Sequence, residues 1–99
     1  MIARLWTGRV RREDAPRYLR LMNDVALPDY RATDGNLGAW TLHRVEGECV
    51  EVRMFTLWRD EASIAAFAGA DITLAKYYDF DDEFLLLKSE RVEHFTADQ

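Results

Sequence analysis

The chain has 99 residues, a mass of 11.5 kDa and a net charge of −5, from 13 Lys+Arg against 18 Asp+Glu. That length holds one domain, residues 1–99, and excludes a catalyst built from several. The acidic balance argues against a nucleic-acid binder, and twelve aromatics (five Phe, four Tyr, three Trp) argue against disorder.

The alternation of Ile2, Arg4 and Trp6 with Ala3, Leu5 and Thr7 predicts a first strand over 2–9, with Gly8 marking a bulge. The basic cluster Arg4, Arg9, Arg11 and Arg12 runs into Glu13–Asp14 and reads as a solvated strand end. Asp14 is the expected N-cap of a helix, with Pro16 in its first turn. Tyr18, Leu21, Met22 and Val25 recur at helical spacing, and Pro28 is expected to stop that helix near Leu27. Residues 29–36 read as a loop, dense in turn formers.

A second strand is predicted over 37–45, a tight turn at Glu46–Gly47, and a third strand over 48–58. In that strand Val50, Val52, Met54, Thr56 and Trp58 share one face, while Cys49, Glu51, Arg53, Phe55 and Leu57 share the other. Asp60 caps a second helix that buries Ile64 and Phe67 and ends at Gly69. Asp71 is expected to cap a short helical turn through Tyr78. Residues 79–83 form an acidic turn, and 84–95 a last strand interrupted at Lys88–Glu90.

The order β-α-β-β-α-β specifies an α+β fold, the ferredoxin-like plait, with a four-stranded antiparallel sheet. Both faces of the third strand are apolar, and two helices cover only one of them. The sheet is therefore expected to pair face to face with a second copy as a homodimer. No run of apolar residues suits a membrane helix or a targeting segment. Cys49 is the one cysteine, which suits a reducing cytoplasm, and its carboxylate neighbours make it a poor nucleophile.

The segment Glu51-Val52-Arg53-Met54-Phe55-Thr56-Leu57-Trp58-Arg59-Asp60, followed by Ala62, Ile64 and Phe67, resembles the antibiotic biosynthesis monooxygenase family of the dimeric α/β-barrel group. Arg91-Val92-Glu93-His94-Phe95 suits that family's last strand. The group includes monooxygenases that make quinones from polycyclic phenols, haem-degrading enzymes, quinol monooxygenases and members without known activity. Haem-degrading relatives carry an Asn, a Trp and a ligating His where this chain has Thr7, Phe67 and Tyr77, which weighs against that branch. The monooxygenase branch implies no cofactor and no metal. There, a bound phenol is deprotonated and the anion reacts with O₂, so the protein must stack a flat aromatic, hold its oxyanion and exclude water.

His43 and Tyr77 are the catalytic candidates. His43 is either a base or a hydrogen-bonded structural histidine at a sheet or dimer interface. Tyr77 stands where haem-degrading relatives place their ligand. Its neighbour Tyr78 points another way, so at most one of the pair faces a cleft. Trp40 and Phe67 are pocket walls or plain core, and Trp6 is expected at a rim. Trp58 is structural at the strand–helix junction, and Tyr30 covers the opening from a loop. Arg4 and Arg53 pair with carboxylates or face an oxyanion, and His94 is expected near the dimer contact. The acidic turn lacks calcium-loop spacing, and no zinc or phosphate motif is present. Three functions compete: a cofactor-independent monooxygenase acting on an aromatic small molecule, a non-catalytic binder of such a molecule, and a structural dimer whose pocket is filled by Phe67, Met22 and Tyr77.

Overall fold

Alternating burial along β1 (Ile2–Arg11) puts Arg4, Trp6 and Val10 under a layer of helices and leaves Leu5 and Thr7 on the opposite face. The computed structural model describes residues 1–99. The other strands are β2 (Asn36–Glu46), β3 (Cys49–Trp58) and β4 (Glu93–Thr96), in the sheet order β2-β3-β1-β4. Every pairing is antiparallel, so the molecule is a ferredoxin-like plait, as the sequence pattern predicts.

The first helical region is longer than predicted. It runs through α1 (Ala15–Leu21), a π-helical segment (Met22–Ala26) and α2 (Leu27–Ala32). Pro28 does not end it. The Leu27 amide bonds back five residues to the Met22 carbonyl, and this wider turn carries the helix past a residue with no N–H to give. Asp14 precedes α1 but makes no side-chain cap; its carboxylate lies 4.0 Å from Arg11 instead. The second helix, α3 (Glu61–Ala68), starts as predicted: the Asp60 carboxylate accepts from the Ser63 amide at 2.9 Å.

Three other expectations are corrected. Gly8 makes no bulge, because β1 and β3 pair in unbroken register from Ile2↔Trp58 to Arg11↔Cys49. Residues 71–78 are not helical. The Asp71 side chain instead accepts from the Thr73 amide at 3.1 Å and closes a local turn, and Leu74 bridges to Arg91. The last strand is only β4. Ahead of it come a short helix, α4 (Asp81–Phe84), and an isolated bridge from Leu87 to Arg9. The hairpin turn lies one residue later than predicted, at Gly47–Glu48. Gly47 takes φ +59 there, the left-handed geometry a tight two-residue turn requires.

Residues 69–92 thus form a long strap laid across the end of the sheet and against the helices. Its own short ladder joins the Ala75 amide to the Glu90 carbonyl and the Val92 amide to the Thr73 carbonyl, each at 2.9 Å. The core lies between sheet and helices, around Trp6, Tyr18, Met22, Tyr30, Met54, Trp58, Ile64 and Phe67.

Candidate functional site

The two sheet faces have different chemistry. Cross-strand register aligns Ala39, Thr56, Arg4 and His94 in one row on the helix side, and Thr41, Met54 and Trp6 in the next. On the open side Trp40, Phe55 and Leu5 form a row, and Arg44, Glu51 and Arg9 form another nearer the hairpin.

The helix side holds most of the sequence-predicted aromatic residues. Tyr30 stacks on Phe67 with ring centres 4.3 Å apart, and Trp58 packs on Phe67 at 5.6 Å. Trp6 meets Tyr77 edge to face at 6.2 Å. Trp6 is not at a rim but buried in mid-strand, and its indole N–H has no partner. Its ring lies over Gly8, where a side chain would collide with it. Tyr30 is not a loop cover; it sits in α2 and is buried in the core. Trp58 is fully buried and donates to the Thr56 hydroxyl at 2.8 Å, so its structural assignment holds.

Arg4 pairs with no carboxylate. Its guanidinium, 2 % exposed, donates to the carbonyls of Ile72 at 2.5 Å and Leu74 at 3.0 Å, and to His94 Nε2 at 3.1 Å. An uncompensated buried cation is costly, and burial lowers the guanidinium pKa. His94 therefore lies on the helix side beside Arg4 and not at the open face. Burial, and then the charge of Arg4, lowers its pKa as well.

The strap contributes groups that sequence reading did not single out. Lys76 lies 4.2 Å above the Phe67 ring and 2.9 Å from the Asp29 carboxylate. Tyr78 donates to the same carboxylate at 2.6 Å, while Tyr77 donates to the Ser89 carbonyl. The two tyrosines do point apart, as expected. Burial raises the pKa of both phenols, which keeps them protonated at neutral pH. Asp81 belongs to no solvated acidic turn. It is 1 % exposed, accepts from the Tyr18 hydroxyl and the Tyr78 amide, and has its pKa raised by burial. Nothing local in the sequence marks Asp29 with Lys76, or Tyr18 with Asp81, because 47 and 63 residues separate them.

His43, Trp40 and Arg53 do not join this cluster. His43 is exposed on the edge strand, opposite Val52 and two strands from Gly8 of β1. It lines a shallow surface hollow of about 220 Å³ with Leu42, Arg44, Glu51 and Arg53. Trp40 stands on the open face, 5.7 Å from the Phe55 ring. Arg53 pairs with Glu51, whose carboxyl is held at about 2 by its bonds to Glu46, Arg53 and Arg44. The aromatic cluster itself is filled by side chains, with Tyr77, Phe67 and Met22 among them.

Solved structures carry the same fold. One of them is Rv0793 from Mycobacterium tuberculosis, which superposes with a TM-score of 0.64 over 100 % of this chain and 97 % of that one, at 19 % identity. The likeness shows the fold alone and says nothing of activity. No protein-family model matches the sequence, and no curated protein does. No helix is long and apolar enough to cross a membrane.

Proposed function

We propose that the protein is a small homodimer that binds a flat phenolic molecule on the helix side of the sheet and oxidises it with O₂. Arg4 is the observation that carries this reading. A buried guanidinium held only by neutral groups is suited to an oxyanion, which would supply the missing counter-charge. Trp6, two residues from Arg4 along β1 on the same face, Tyr77 against it, and the Tyr30–Phe67 stack supply ring faces in the same core, and the free Trp6 N–H is a donor for a second oxygen. Opening the strap gives the ligand its way in. Once bound, the phenol gives up a proton and its electron-rich anion reacts with O₂. A ring CH₂ becomes C=O, and the other oxygen atom leaves as water. The proton passes to solvent: the Tyr77 phenol is itself held protonated and serves as a hydrogen-bond donor to the bound molecule, and His43 lies outside the aromatic cluster.

The same atoms favour a second reading, a binder or structural dimer without turnover. Side chains fill the cluster, with Tyr30 stacked directly on Phe67. In both readings the open face pairs with a second copy. Trp40, Leu42 and Phe95 are each close to half exposed there, beside half-buried Phe55 and Leu57. In such a pair the charged row of Arg44, Glu51 and Arg9 would set the register.

Oxygen uptake by metal-stripped protein with an anthrone-type phenol tests the chemistry. Protein-dependent uptake with quinone formation, lost in Tyr77→Phe and Arg4→Gln, is expected. Uptake equal to the protein-free rate leaves the binding reading.

A further inference from the structure

His94 and Arg4 are direct cross-strand partners, and their contact has a chemical requirement. A guanidinium has five N–H donors and no acceptor. His94 Nε2, 3.1 Å from Arg4 Nη1, can take part only through its lone pair, so the imidazole must be neutral with its proton on Nδ1. Protonating Nε2 turns an acceptor into a donor and sets two cations side by side. The same guanidinium holds the strap through the carbonyls of Ile72 and Leu74. That stretch of the strap is laddered to residues 90–92, which lead into β4 and His94 itself.

From this geometry we propose that His94 is an acid-sensitive latch: its protonation breaks the Arg4 contact and releases residues 72–75 and 90–94 from the sheet. The proposal deepens the reading of the helix side as a ligand site, since this flap covers Arg4. The charges around the latch leave little to offset a second cation. Arg4 faces it from β1. Glu61 of α3 is the carboxylate that favours protonation, and it is exposed. In the strap, Ile72, Thr73 and Leu74 carry no charge, and Asp71 is engaged by Arg91 at 3.6 Å. From α2, only the protonated Tyr30 phenol acts on Arg4.

The sign follows from linkage. The folded imidazole binds its proton less readily than a free one, so its contribution to stability is complete above the ordinary histidine range. That contribution declines as pH falls toward the lowered folded value.

Hydrogen exchange of the ligand-free protein tests this without reference to any substrate. Between about pH 7.5 and about pH 5, corrected for intrinsic exchange, protection of the Ala75 and Val92 amides should fall about tenfold or more. The β1–β3 ladder should keep its protection. In His94→Gln, whose side-chain oxygen accepts from Arg4 but does not titrate, the flap amides should show no such loss. Unchanged flap protection in the wild type, or an equal loss in His94→Gln, overturns the proposal. Should that variant fail to fold, wild-type NMR decides. The His94 ring must titrate together with the 72–75 amides, and a ring titration that leaves those amides unmoved rejects the latch. Loss of oxygen uptake with an intact latch would count against the oxidase reading alone.

Discussion

The Tyr18 hydroxyl donates to the Asp81 carboxylate at 2.7 Å in a site from which water is excluded, and this contact docks the strap onto α1. Asp81 also accepts from the Tyr78 amide, so one carboxylate joins a helix to a turn 63 residues away. Asp81→Ala leaves a buried hydroxyl and a buried amide unpaired. We expect a loss of about 1–3 kcal/mol in urea unfolding. Tyr18→Phe should cost less. The double variant should fall short of the sum, because both changes remove one interaction. Strict additivity would show that the contact contributes nothing.

Lys76 ties the strap to α3 through the Phe67 ring and to α2 through Asp29. Both charged groups are partly solvated, so Lys76→Met should cost only about 1 kcal/mol. The Asp29 carboxyl is partly desolvated, which alone would raise its pKa, yet the bonds from Tyr78 and Lys76 hold it below the usual value. Its contribution is present above the ordinary Asp range and lost as acid protonates it. Stability of the wild type should therefore fall more steeply below about pH 4 than that of Asp29→Asn. Parallel pH profiles would rule the pairing out.

Gly8 gives the Trp6 indole its place. A Cβ there would stand 2.5 Å from Trp6 Cη2 and 3.0 Å from Leu85 Cδ2. Gly8→Ala is expected to cost about 1–3 kcal/mol by overpacking, and a Trp6→Phe background should relieve part of it. A thermal midpoint unchanged by Gly8→Ala would show that the ring can move aside.

The open sheet face should pair with its twin. At low micromolar concentration the wild type is expected at twice 11.5 kDa by sedimentation. Trp40→Glu places a charge in the middle of the apolar row and should give an 11.5 kDa monomer with unchanged far-UV circular dichroism. A monomeric wild type would sink the sheet-to-sheet assembly.

The periodicities were enough for the plait. Strict alternation in β3, the Asp60 cap ahead of Ile64 and Phe67, and the β-α-β-β-α-β order are local patterns, and local patterns are what short-range backbone chemistry records. The parity of β1 likewise placed Arg4 and Trp6 together on one face. The sequence was misleading at Pro28, whose disruptive effect a π turn absorbs, and at residues 71–95. There the local preference for helix and strand yields to contacts made with distant elements. Which groups meet at the site was decided by the tertiary structure alone. Arg4 trades an expected carboxylate for two strap carbonyls and a neutral His94, while His43 is stranded on an exposed edge. The cause is burial. A side chain's partner, protonation state and depth depend on which residues the strap brings within a few ångströms, and those residues lie up to 90 positions away.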